Sequence, residues 1–92
     1  MPKPITLRVV QAEVRYPKSD EGPASTDFII LEIRKATIRE RRGLNNSQVT
    51  VETVQKAFER DKSLGWGWAQ GKLVNVHISY QPLGYKHSTL KV

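Results

Sequence analysis

The chain has 92 residues, of which 38% are hydrophobic and 26% charged, with a formal net charge of +6 and no cysteine. This length supports one domain with a single core over residues 1–92, and the composition differs from that of disordered chains. The lack of cysteine excludes disulfides, thiolate nucleophiles and cysteine-ligated zinc, and no apolar run is long enough to span a bilayer or to form a signal peptide. We therefore expect a cytoplasmic protein without membrane contact, stabilised by its core or by self-association.

Residues 5–16 predict a long, bent β-strand. Apolar residues alternate at odd positions as far as Val9 and at even positions from Val10 onward. This change of phase indicates a β-bulge, where one inserted residue turns a strand onto a new face. Two prolines and a glycine in residues 17–26 then predict a loop, which we expect to be mobile.

Residues 27–39 predict a second strand, because Ile29, Leu31 and Ile33 recur at alternate positions and β-branched side chains fit a pleated surface. The alternative is a helix that begins after Thr26 or Asp27, with a stripe formed by Phe28, Leu31, Lys35 and Ile38. The strand is the preferred interpretation. Gly43 and the asparagine pair after it predict a turn.

Residues 51–62 predict the main helix, with Thr50 as its N-cap. Val51, Val54 and Phe58 recur at helical spacing and form the predicted buried stripe. Gly65 lies where a helix C-terminus is commonly stopped.

The run SQVTVETVQKA at residues 47–57 resembles the start of the recognition helix of helix-turn-helix repressors. The resemblance implies a winged-helix arrangement, in which the hairpin predicted after this helix would be the wing. Such a fold requires helices before this segment, where residues 5–39 predict strands. It is kept as a minor alternative.

Residues 66–69 and 72–81 predict two strands of a hairpin that turns at Gln70 and Gly71. Residues 82–92 begin with a proline-containing turn and continue without a clear period, which predicts a loose tail. Taken together, the elements predict an α+β domain in the order strand–strand–helix–strand–strand. One helix packs on one face of a small antiparallel sheet in this arrangement.

The positive charge is unevenly distributed along the chain. Residues 1–27 carry four basic and four acidic side chains, residues 28–61 carry seven and five, and residues 62–92 carry four basic and no acidic ones. An acid-free C-terminal third predicts a surface that meets phosphate groups or an acidic protein. A well-solvated surface that serves only solubility would show the same pattern.

Two groups of residues form the candidate binding site. The first is a basic cluster that could contact phosphates, although basic residues on an edge strand also protect it from aggregation. The second is a tryptophan pair beside a lysine, an arrangement typical of single-strand nucleic-acid binders, in which we expect one ring to be buried and one exposed. The full set is Arg34, Lys35, Arg39, Arg41, Arg42, Trp66, Trp68 and Lys72.

Catalysis is not expected from this sequence. His77 and His87 are ten residues apart, without cysteine or a nearby carboxylate, and match no metal-ligand spacing. No glycine pattern typical of phosphate-binding loops is present, so we expect no cofactor. The leading interpretation is a small basic non-enzymatic module that binds RNA or single-stranded DNA. The alternative is a protein-interaction or regulatory module, including a homodimer, that uses exposed tryptophan and arginine residues.

Overall fold

The structure, a computed structural model, describes residues 5–44 and 46–83. These residues form the strands β1 (Thr6–Tyr16), β2 (Ser25–Lys35) and β3 (Lys72–Pro82), the helices α1 (Ile38–Arg41) and α2 (Ser47–Ser63), and a 3-10 turn (Gly67–Ala69). The strand order is β2-β1-β3, and both outer strands run antiparallel to β1. The predicted α+β class, an antiparallel sheet with one main helix on one face, is confirmed.

The sheet contains two irregularities, and both lie on the outer strands. The register of β1 with β2 shifts between Val10 and Gln11, which leaves Leu31 of β2 unpaired. The register of β1 with β3 shifts between Glu13 and Val14, which leaves Val74 of β3 unpaired. A bulge was predicted at this part of β1, but the inserted residue belongs to β2.

The consecutive apolar residues Val9 and Val10 were interpreted as a change of phase in β1, but the structure gives another reason for them. The two residues point to opposite faces of the sheet, yet they are only 3% and 2% exposed. Because β1 is the central strand, its neighbours on both sides shield its side chains on either face. Consecutive apolar residues therefore mark a central strand here.

The core lies between β1 and α2. Ala12 and Val14 of β1 pack with Phe58 of α2 and with Ala69 of the 3-10 turn, and Val54 of α2 is also buried. The predicted helical stripe is thus confirmed at Val54 and Phe58. The other face of the sheet, called the open face below, exposes side chains of β2 to solvent.

Helix α2 begins four residues earlier than predicted. Asn46 is its N-cap and accepts a hydrogen bond from the Val49 backbone nitrogen at 3.2 Å. Thr50 lies inside the helix, where its Oγ1 accepts from Arg8 Nη2 at 2.7 Å. The predicted stop at Gly65 is confirmed, because this glycine follows the C-cap with φ of +80°.

The predicted hairpin over residues 66–69 and 72–81 is wrong. Residues 67–69 form the 3-10 turn, and β3 pairs with β1 instead. The turn is held by the hydroxyl of Tyr16, which donates to the Trp68 carbonyl at 3.0 Å. Gly71, the residue before β3, passes close to Arg15 and Tyr16 of β1.

The end of the second predicted strand is also different. Residues 25–35 form β2, which confirms strand over helix, but Thr37 and Glu40 cap the single helical turn α1. Residues 25 and 26, predicted as loop, belong to β2. In the remaining loop, Ser19 and Gly22 form a backbone bridge.

The helix-turn-helix alternative is not supported. Before α2, the described residues contain two strands and the four-residue helix α1. Of the predicted tail, Pro82 ends β3, whereas residues 84–92, including His87, lie outside the described residues. None of the helices over residues 5–44 and 46–83 has the length and hydropathy to cross a membrane.

Candidate functional site

The predicted site residues divide into two groups at opposite ends of the sheet. Lys35 pairs with Leu7 at the start of β1, whereas Lys72 pairs with Arg15 near its end. Eight residue steps along β1 separate these positions, a distance of roughly 27 Å at about 3.4 Å per residue. The candidate residues therefore do not form one compact site.

Arg34 is engaged in an ion network and is not a free cation. Its Nη1 and Nη2 donate to the two carboxylate oxygens of Glu40, each at 2.8 Å, and its Nε lies 3.3 Å from Oε1 of Glu32. The buried Arg8 of β1 also pairs with Glu32, and its Nε lies 3.0 Å from Oε2 of Glu40. Through Thr50, Arg8 connects this network to α2.

The network has two arginines and two glutamates, so its formal charge is zero. The hydrogen bonds from Arg34, together with the one that the Thr37 backbone nitrogen donates at 2.8 Å, lower the pKa of Glu40 to about 2. Glu40 also raises the pKa of Arg34. This arrangement makes Arg34 a structural residue that joins β2 to α1.

The other basic residues at this end are exposed to solvent. Arg39 and Arg41 lie on α1, and Arg42 is its C-cap. The sequence predicted that Lys35, Arg39 and Arg41 share one side of an edge strand, which is wrong, because Arg39 and Arg41 lie on a helical turn, where successive residues point about 100° apart. Within residues 5–44 and 46–83, none of these side chains, nor that of Lys35, has a carboxylate partner.

The two tryptophans have different environments. Trp68 packs edge-on against Phe58, with ring centroids 5.3 Å apart, and its Nε1 donates to Oδ2 of Asp61 at 2.7 Å. This hydrogen bond lowers the pKa of Asp61. Trp66 is 61% exposed. One ring is thus packed on the core and one is exposed, as expected.

Two adjacent grooves lie at the end of the sheet where β3 begins. Their volumes are about 480 Å³ and 320 Å³, and they share Lys62, Gly71 and Lys72 as lining residues. The smaller one is also lined by Arg15 and Gln70. We call the surface formed by Arg15, Lys62, Gln70, Gly71 and Lys72 the basic groove.

The charges of the basic groove are unbalanced. Arg15 and Lys72 are directly opposite each other on β1 and β3, an unfavourable arrangement for like charges. In the part of the chain that the structure describes, neither side chain has an acidic partner. Lys62 donates to the Gly71 carbonyl at 3.0 Å, and Glu59 is the one carboxylate among the described lining residues. A bound anion would relieve this repulsion.

Four residues of the basic groove are missing from the candidate set: Arg15, Lys62, Gln70 and Gly71. Arg15 belongs to the electrically neutral first third of the chain, so the charge distribution alone gives no reason to select it. Its position opposite Lys72 depends on the register of β1 with β3, which the sequence did not predict. In the sequence, the one feature that distinguishes Lys62 is its position near the tryptophan pair.

His77 also differs from its prediction. It was expected to lack a nearby carboxylate, but its Nε2 lies 3.1 Å from Oε1 of Glu13 on the adjacent strand. The ring of Phe28 lies on the same open face, with its centroid 6.3 Å from that of His77. These three residues come from three different strands, so only the sheet brings them together.

Comparison of the chain with protein-family models, with curated proteins and with solved structures finds no match in any of the three. The geometry and charge of the described residues are therefore the basis for inferring function.

Proposed function

We propose that the protein is a non-enzymatic module that binds single-stranded RNA or DNA through the basic groove and Trp66. The observation that supports this most strongly is the direct opposition of Arg15 and Lys72, which Lys62 joins from the end of α2. Three cations line the smaller groove, and Glu59 is the one carboxylate among the described residues that line either groove, so the site attracts a ligand that carries several negative charges.

Trp66 contributes an exposed aromatic ring, and its backbone contacts this groove. Gln70 Nε2 donates to the Trp66 carbonyl at 3.0 Å, so the backbone of Trp66 is adjacent to a lining residue of the groove. An exposed indole can stack on an unpaired base, which contributes about 1–3 kcal/mol per base in known single-strand binders. Trp68 is left out of the proposal because its ring is packed on Phe58.

The second group of cations favours a polymeric ligand over a small anion. Lys35, Arg39, Arg41 and Arg42 are exposed at the opposite end of the sheet, roughly 27 Å from the basic groove at about 3.4 Å per residue of β1. A small anion contacts one end only. A nucleic-acid strand that follows the long direction of β1 can reach both.

Binding to an oligothymidylate of about 20 nucleotides, followed by Trp fluorescence over a range of salt concentrations, tests this function. We expect quenching of Trp66, and an association constant whose logarithm falls linearly with the logarithm of the salt concentration. Lys72→Gln is expected to weaken binding several-fold and to reduce the salt slope by about 0.7, the effect of one lost phosphate contact on a single strand. Trp66→Ala is expected to weaken binding by about 1–3 kcal/mol.

Lys56→Gln is the matched control, because Lys56 is exposed on α2 and lies outside both grooves. It removes the same charge and should leave the salt slope nearly unchanged. Equal effects of Lys56→Gln and Lys72→Gln would indicate a response to net charge alone. Absence of binding at low salt would refute the proposal.

A second candidate function is a protein-interaction or regulatory module. Leu64 and Trp66, on either side of Gly65, are 66% and 61% exposed, and exposed tryptophans often dominate protein interfaces. The variants Trp66→Ala and Lys72→Gln distinguish this function from nucleic-acid binding. A protein complex anchored by these apolar side chains would be weakened by Trp66→Ala and would be nearly insensitive to Lys72→Gln.

A further inference from the structure

Strand β2 is an edge strand with three large apolar side chains exposed to solvent. It is 11 residues long, and in the described part of the chain β1 is the one strand that pairs with it. Phe28, Leu31 and Ile33 of this strand are between 39% and 55% exposed. Long apolar edges of this kind readily pair with another strand. The opposite edge, β3, has two exposed large apolar side chains, Val74 and Tyr80.

The unpaired residue Leu31 changes which residues of β2 point to the open face. Thr26, Phe28 and Ile30 are opposite odd-numbered residues of β1, and so are Ile33 and Lys35. The open-face residues of β2 are therefore even-numbered before Leu31 and odd-numbered after it. This pattern restricts the ways in which β2 can pair with a second copy of itself.

An antiparallel pair of β2 strands must keep the open-face residues of one copy opposite those of the other. One register meets this condition with Ile30 opposite Ile30 at the two-fold axis and Leu31 unpaired in both copies. Phe28 is then opposite Ile33, and Asp27 is opposite Arg34. Each contact occurs twice by symmetry.

Charge selects this register over its neighbours. A shift of the pairing by two residues in one direction places Asp27 opposite Glu32. A shift by two residues in the other direction places Glu32 opposite Glu32 of the second copy. Like charges directly opposite each other destabilise a strand pair, whereas the register centred on Ile30 matches Asp27 with Arg34. The side chain of Arg34 is 42% exposed and can meet Asp27 while it remains bonded to Glu40.

We propose that two copies of this chain pair through β2 in the register centred on Ile30 and form a continuous six-stranded antiparallel sheet. The pairing covers the apolar edge and leaves the basic groove open, because that groove lies on the side of β3. The proposal does not depend on nucleic-acid binding.

Sedimentation equilibrium of the full chain tests the dimer. We expect a concentration-dependent mass that approaches twice the 10.5 kDa of one chain. Phe28→Lys and Ile33→Glu are each expected to raise the dissociation constant of the dimer at least about tenfold, since each places an unpaired charge against an apolar residue. The double variant should return it to within a few-fold of wild type, because the new lysine and the new glutamate face each other twice.

Val74→Lys is the matched control, because it puts a charge at an exposed apolar position on the opposite edge strand, β3. It should leave the dissociation constant unchanged, and circular dichroism should show that all variants keep the wild-type fold. A monomer at concentrations of about 100 µM would overturn the proposal. A dimer that Val74→Lys disrupts, or one that the single variants disrupt and the double variant does not restore, would also overturn it.

Discussion

Replacement of Glu40 by Gln is expected to lower the free energy of unfolding by about 2–3 kcal/mol, because it breaks a largely buried ion network. The Glu40 side chain is 9% exposed and accepts two hydrogen bonds from Arg34. Without this carboxylate, Glu32 is the one charged partner that the buried Arg8 keeps among the described residues. The loss stays below that of a fully buried pair, since the Arg34 side chain is 42% exposed and partly screened by water.

Urea unfolding at pH 7, followed by Trp fluorescence, measures this change. Glu59→Gln is the control, because Glu59 is an exposed carboxylate on α2 that forms no ion pair within the described residues. It should change the free energy of unfolding by less than about 0.5 kcal/mol. A similar loss in both variants would mean that the effect comes from net charge and not from the network.

The effect of Glu40 is also expected to depend on pH. Its pKa is about 2 in the folded chain and 4.5 in the reference state. Because the unfolded chain takes up the proton at a higher pH than the folded chain does, protonation favours unfolding. The stabilisation by Glu40 is therefore complete above about pH 5, declines as the pH falls below that value, and is lost as the pH falls through about 2.

As the pH falls, the difference in the free energy of unfolding between the wild type and Glu40→Gln is therefore expected to decrease. Urea unfolding of both proteins between about pH 7 and pH 2.5 should show the largest difference at pH 7 and the smallest at the acid end. A difference that stays constant over this range would contradict the assignment of the low pKa to Glu40.

Gly71→Ala is expected to lower the free energy of unfolding by about 3 kcal/mol, the upper end of the range for overpacking. A Cβ atom at this position would lie 2.5 Å from the Arg15 carbonyl oxygen, 2.8 Å from Tyr16 Cδ1 and 2.9 Å from Val14 Cγ1. The nearest of these atoms belongs to the backbone of the central strand. It cannot move away without disturbing the pairing of β1 with β3.

Gly67→Ala is the matched control for this substitution. A Cβ atom at Gly67 has no neighbour within 4 Å, and the φ angle of this residue is not in the left-handed region. We expect a change within about 0.5 kcal/mol, or a slight stabilisation because alanine restricts the unfolded chain. Thermal unfolding by circular dichroism compares the two variants. Equal changes in stability for Gly71→Ala and Gly67→Ala would show that the space between Gly71 and β1 can accommodate a Cβ atom.

Local patterns in the sequence were sufficient to predict the fold class and most element types. The alternation of apolar residues predicted β1 and β2, the spacing of Val54 and Phe58 predicted the buried face of α2, and Gly65 predicted its end. These features depend on the periodicity of a strand or helix and on the conformational freedom of glycine, which are properties of neighbouring residues.

The candidate site depends instead on contacts between distant parts of the chain. The sequence pointed to both tryptophans, but the hydrogen bond from Trp68 to Asp61 and its packing on Phe58 leave only Trp66 exposed. It also pointed to Arg34, which Glu40 engages once α1 forms.

The register of the sheet had the largest consequences. Pairing of β3 with β1, rather than with residues 66–69, sets Lys72 opposite Arg15 and so creates the charge imbalance of the basic groove. The unpaired Leu31 similarly determines which side chains of β2 a second copy would meet. Sequence periodicity determines which residues share a face of a strand. Which strand lies beside it, and in what register, was decided by the close approach of Gly71 to β1 and the packing of α2 on the sheet, which exist only in the folded chain.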